Sequence, residues 1–164
     1  GGPMSVSERV SSDHQLARLL QIGIVLEEVV EARAYHHYRS MSGGLDEEIV
    51  ELLDHAREES AEHRERLEAL IDELDAESVP YDEIEALVEG KYGQTRPEDF
   101  DGVLYDQLAS EETAYKFYDD LIAAIEDSEA EFGVDRDRLI AALEGIREEE
   151  AEGVEAVTDI MRRR

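Results

Sequence analysis

The sequence predicts an all-α fold: four long helices joined by two short turns and one long crossover. Three observations carry this. Apolar residues recur at spacings of three and four, and the period-two alternation of a half-buried strand is absent. Helix-ending Gly and Pro residues stand near Gly43-Gly44, between Pro80 and Pro97, and near Gly133, between periodic segments. The length of 164 residues suffices for one domain with a real core. Gly1-Gly2-Pro3 ahead of Met4 reads as an expression-tag remnant covering residues 1–4, so the single domain is expected over 5–164.

The elements follow in order. Helix A is predicted over 13–41, capped by Ser12 or Asp13 and stopped by Ser42-Gly43-Gly44. Helix B is predicted over 46–75, helix C over 101–131 with a stop near Gly133, and helix D over 135–162. The A–B and C–D connections are a few residues each, which makes both pairs antiparallel hairpins. The B–C connection, 76–100, holds Pro80, a short amphipathic helix over 82–89, then Gly90, Gly93 and Pro97. It is long enough to cross the bundle lengthwise, with the short helix covering a flank.

Composition narrows the function. The chain carries 44 acidic against 16 basic residues, a net charge of −28, and its only lysines are Lys91 and Lys116. A dense acidic shell poor in lysine suits a halophilic, high-salt cytoplasm, where salt screens self-repulsion. It argues against nucleic acid, which needs a basic footprint, and the Arg162-Arg163-Arg164 tail is too small to reverse this. No apolar run approaches membrane-spanning length, no signal peptide is visible, and cysteine is absent. The expectation is a cytoplasmic protein without membrane contact and without thiolate-bound zinc.

The chemistry-bearing residues sit mid-helix. Glu28 precedes Tyr35 by seven residues in helix A, and Glu111 precedes Tyr118 by seven in helix C. Seven residues is about two turns, so each Glu shares a face with its Tyr. Ile24 and Ala32 share the first face, and Leu104, Ile122 and Ile125 the second, which makes both faces core faces. A carboxylate there is costly unless something neutralises it. The repeat suggests pseudo-two-fold symmetry, with Glu28 facing Glu111 across the core. Helix B brings His63 to the centre of its apolar stripe, with Glu59 and Ser60 beside it; helix D brings Glu149 and Glu150 to matching places.

No basic side chain stands ready to neutralise the cluster. Arg57, Arg64, Arg147 and Lys116 point away by helical phase, and Arg39 faces inward but lies about 16 Å along the helix from Glu28. Several carboxylates with one imidazole suit one or two divalent ions, and the hard oxygen set favours iron, with manganese as the alternative. Glu31, Glu59 and Glu149 lie at the edges, where they can also reach solvent. Tyr35 and Tyr118 are expected to pack in the core with hydroxyls reaching the carboxylates. His14, His36, His37 and His55 are expected at the surface.

These residues resemble the ferritin-like superfamily of ferritins, bacterioferritins and rubrerythrins, over helices A to D and the crossover. The stretch from Glu28 through Tyr35 to Met41 resembles a bacterioferritin-type first helix, and Arg57-Glu58-Glu59-Ser60-Ala61-Glu62-His63 resembles the encapsulated ferritins. The resemblance implies one Glu from each of helices A and C, met by Glu28 and Glu111, and Glu-x-x-His from each of B and D. Here helix B reads Ser60-x-x-His63 and helix D reads Glu150-x-x-Gly153. Glu59 stands as a substitute carboxylate and Glu149 as support for Glu150. The implied ligand set is Glu28, Glu59, His63, Glu111 and Glu150, with Tyr35, Tyr118, Glu149 and Glu31 around it. It would hold one ion, an asymmetric pair or none. The implied activity is oxidation of Fe(II) by oxygen or peroxide in iron handling or oxidative defence, in a homo-oligomer. The alternative is a degenerate bundle without redox activity that serves as an oligomeric or partner-binding module.

Overall fold

The computed structural model describes residues 10–40, 46–77, 81–92 and 102–163. The described chain is all-α, with α1 (Asp13–Ser40), α2 (Glu47–Asp72), α3 (Tyr81–Tyr92), α4 (Val103–Asp127) and α5 (Arg136–Arg162). The expected stop at Ser42-Gly43-Gly44, the breaks at Pro80, Gly93 and Pro97, and residues 1–4 lie outside the described residues.

Local chemistry sets the ends. Ser12 caps α1 by accepting from the Gln15 backbone N–H through Oγ at 3.2 Å. Asp46 caps α2 by accepting from the Glu48 N–H. Asp135 caps α5 by accepting from the Arg138 N–H. Two helices stop sooner than expected. α4 ends at Asp127 because Ser128 turns extended, and its Oγ donates to the Val10 carbonyl at 2.6 Å. α2 ends at Asp72. The short crossover helix, α3, instead runs on through Gly90.

End-to-end contacts define the topology. At one end, Asp13 of α1 accepts from the Asp75 N–H just after α2 and from the Gly133 N–H just before α5. A Cβ on Gly133 would lie 2.8 Å from Asp13 Oδ2 and 3.0 Å from the Glu73 carbonyl, so this junction needs glycine. At the other end, Arg33 and His37 of α1 bind Asp106 in the first turn of α4, and Arg163 pairs with Glu48 at the start of α2. So α1 and α5 run one way and α2 and α4 the other. The connection from α2 to α4 therefore spans the bundle lengthwise. α3 lies on the α1 flank, where Ile84 packs on Val25 and Leu26.

Two apolar regions frame a polar layer. The larger one gathers Leu16, Leu20, Ile24, Leu67, Tyr118, Leu121, Ile125, Leu139, Leu143 and Ile146 from four helices. The smaller joins Ala34, Ile49, Leu53 and Val103. Each fully buried Leu or Ile contributes roughly 1.5–3 kcal/mol through removal from water. Between them lie Glu27, Ser60, His63, Glu111 and Glu150, all buried.

Candidate metal centre

The four long helices each bring a buried carboxylate or imidazole to the polar layer: Glu27 from α1, His63 from α2, Glu111 from α4 and Glu150 from α5. His63 is the hub. Its Nδ1 lies 3.1 Å from Glu27 Oε1 and 3.1 Å from Glu150 Oε1. Its Nε2 lies 3.1 Å from Glu149 Oε2. Arg66 then grips Glu149 with both Nη atoms, at 2.6 and 3.2 Å. The Tyr118 hydroxyl donates to Glu27 Oε1 at 2.7 Å, and Gln107 Nε2 donates to Glu111 Oε1 at 2.9 Å. One oxygen is left over. Glu27 Oε2 is buried with no hydrogen-bond partner, on a side chain with no exposed surface.

Burial in a dry layer disfavours charged carboxylates. Burial, the hydrogen bond that the Glu150 carboxyl donates to Glu111, and the Glu27 charge push Glu150 far above the carboxylate range. Burial also raises Glu111, against hydrogen bonds from Glu150 and Gln107 that pull the other way. Burial disfavours the His63 imidazolium, but Glu27, Glu149 and Glu59 outweigh it and raise its pKa. Tyr118 is pushed well above its ordinary value by burial and by the Glu27 and Glu150 charges. Burial would raise Glu149 too, but its hydrogen bonds with Arg66 and His63 hold it below its usual value.

The donor set fits a divalent cation. Ligand atoms of Glu27, His63 and Glu150 lie within 4.8 Å of one another, and all three residues are buried. Neutral His63 would offer Nδ1 as a nitrogen donor. Its Nε2–H would point at Glu149, an outer carboxylate that fixes tautomer and ring orientation. The unpartnered Glu27 oxygen is the lone pair such an ion would satisfy.

Several expectations change. Glu28 is not at the centre: its side chain is 44% exposed and faces Arg64 at 3.9 Å, while Glu27 beside it is fully buried. Adjacent helical residues differ by about 100°, so one step moves a side chain from core to rim. Tyr35 set the wrong phase. It is 43% exposed, under the Arg57 guanidinium at 4.6 Å from its ring centroid. The α1 partner of Tyr118 in the repeat is Ala34, seven after Glu27 and fully buried. Glu31 leaves the cluster to pair with Arg64. Arg39 is exposed rather than inward, near the Tyr35 ring.

Other placements hold. His63, Glu111 and Glu150 meet as expected, and Tyr118 reaches the carboxylates. Glu149 supports the layer from its edge. Glu59, expected as a substitute ligand, does not join the Glu27–His63–Glu150 group; it stays at the rim, 12% exposed, with the His55 ring 3.2 Å away. Burial and the Glu111 charge, partly offset by His63, push it up to about 7. His14, His36 and His55 are exposed, but His37 is buried against Asp106 at 2.7 Å.

Reading the sequence missed Glu27, Gln107, Arg66 and the Asp106 pairings. The heptad Leu20–Glu27–Ala34 carried the signal for Glu27, and the i, i+4 spacing of Gln107 and Glu111 carried that for Gln107. No protein-family model, no curated protein and no solved structure matches the chain.

Among the described residues, no helix is long and apolar enough to cross a membrane.

Proposed function

We propose that this chain is a metal-binding bundle of the ferritin-like type that takes iron or manganese at Glu27, His63 and Glu150, with Glu111 beside them, and oxidises Fe(II) with oxygen or peroxide. The observation that carries the reading is the enclosed Glu27–His63–Glu150 set with one unpartnered carboxylate oxygen. The helix directions and the lengthwise crossover favour the ferritin-like type over an ordinary up-down bundle. An ion bound here would supply a one-electron redox change. The chain's own residues do the rest. Glu150 gives up its proton to bind it, Glu149 and Arg66 hold His63 in the ligating tautomer, and Tyr118 orients Glu27. The apolar regions on both sides keep bulk water out. A homo-oligomer is part of the proposal, tested by light scattering.

The decisive experiment loads the metal-free protein anaerobically with Fe(II), desalts it and measures metal per chain by mass spectrometry. Bound iron that turns ferric when oxygen is admitted supports the reading. A Glu27→Ala, Glu150→Ala double variant should then bind at least about tenfold more weakly.

A second reading, a degenerate bundle without redox activity, is favoured by the direct contacts of His63 with Glu27, Glu149 and Glu150, which partly satisfy the buried charges. Under that reading no iron, manganese or zinc is retained, and the double variant unfolds at a higher temperature than the parent.

A further inference from the structure

Gly153 on α5 faces the Glu111 carboxylate of α4. A Cβ built there would lie 2.7 Å from Glu111 Oε2, 2.8 Å from its carboxyl carbon and 3.2 Å from Oε1. Cβ atoms do not approach this closely, so with any larger residue at 153 the Glu111 carboxylate would have to leave this position. Gln107, one turn earlier on α4, fixes the seated carboxylate by donating from Nε2 at 2.9 Å. Gln107 is 1% exposed and Glu111 5%, so the seat is closed to solvent. Glu111 also hydrogen-bonds Glu150, which belongs to the compact Glu27–His63–Glu150 group. Seated in this way, Glu111 fills the space beside α5 at Gly153, next to that group. Glu59 is turned to His55 at the rim, and Glu149 is committed to Arg66 and His63. The layer therefore retains one enclosed nitrogen and three enclosed carboxylates.

We infer that Gly153 seats the Glu111 carboxylate and thereby limits the centre to one divalent ion per chain, bound by Glu27, His63 and Glu150 with Glu111 against them. This rests on the metal-binding reading above. Gly153 is a positioning residue: it acts through Glu111 and touches no ion.

The test titrates the full-length, metal-free chain with Co(II), reading stoichiometry by calorimetry and by mass spectrometry and the ligand set by visible absorption. The parent should bind one Co(II) per chain. Gly153→Ala should weaken binding by about 10- to 100-fold and shift the absorption bands, the range expected when a ligand loses its support. Gly145→Ala is the control on the same helix, since a Cβ there meets nothing within 4 Å, and it should leave binding unchanged. In a Glu111→Ala background, Gly153→Ala should have no further effect, because the residue that needs the space is gone. Should Gly153→Ala lose its helical circular dichroism, Gln107→Met probes the same seat and should also weaken binding. Two Co(II) per chain, or a well-folded Gly153→Ala that binds like the parent, would overturn the inference and leave the metal-binding reading standing. No Co(II), Fe(II) or Mn(II) bound by the parent would sink that reading and this inference with it.

Discussion

Glu27 and Asp106 are both buried acids on core faces, and their surroundings satisfy them to different degrees. Asp106 is fully matched: Arg33 Nη2 lies 2.9 Å from Oδ1 and His37 Nε2 lies 2.7 Å from Oδ2. Burial would raise its pKa, but these two partners outweigh burial and hold it below the ordinary 3.8. Its stabilisation is thus fully present above the unfolded value and is lost as pH falls through the lower folded one. Asp106→Asn should cost about 3 kcal/mol near neutral pH, as expected when one partner of a buried pair is removed. Urea unfolding at pH 7 and pH 3 checks this; a gap between variant and parent that does not shrink at pH 3 would refute the pairing argument. Glu27, by contrast, keeps an oxygen with no partner, which suits a ligand better than a structural ion pair. Asp106 and His37 were hard to read from sequence because their partners lie 69 to 73 residues apart in the chain.

Each helix is defined by its cap and its apolar stripe, and both are local. Asp135 accepts from the Arg138 N–H at 3.1 Å, satisfying one of the orphan donors at the start of α5. Asp135→Ala should destabilise the protein by about 1 kcal/mol. For a chain of this size that is a fall of about 2–4 °C in melting temperature. Calorimetry that finds no fall would mean solvent replaces the cap at no cost. Helix starts at Asp46 and Asp135 were legible because caps are read within four residues. The end of α4 was not. Ser128 leaves the helix because its hydroxyl finds the Val10 carbonyl, a contact 118 residues away in sequence. Phase along α1 failed for a related reason. Tyr35 is an amphipathic residue that suits either a core or a stack beneath Arg57, and only the position of α2 decided between them.

For the whole molecule, charge and topology dominate. A net charge of −28 on 164 residues opposes compaction through self-repulsion, and dissolved salt weakens that repulsion. Raising KCl from about 0.1 M to about 1 M, which shortens the screening length from about 10 Å to about 3 Å, should raise the melting temperature. A melting temperature that stays level or falls over this range would remove the high-salt reading of the composition. Many surface acids already have arginine partners, such as Arg138 with Glu73 and Arg147 with Asp119, so salt should act mainly on the unpaired remainder. The helix directions place the start of α1, the end of α2, the end of α4 and the start of α5 together. That arrangement puts the midpoints of all four long helices at one level, which is what gathers the polar layer.

The amino-acid sequence by itself determined the all-α class, the four long helices with a short one in the crossover, their starts, and the presence of His63 and Glu111 on core faces with Glu150 beside one. All of these follow from periodicity and from contacts within one or two turns. Tertiary structure alone decided that Glu27 rather than Glu28 enters the centre, that Arg66 reaches Glu149, and that Glu111 rests on Gly153. The physical reason is the same in each case. Neighbouring helical positions lie about 100° apart, and a stripe several residues wide leaves its edge positions undecided until a partner helix is in place. Once α2 and α5 are set, the space left at Gly153 and the reach of Arg66 follow from backbone positions that no local pattern contains.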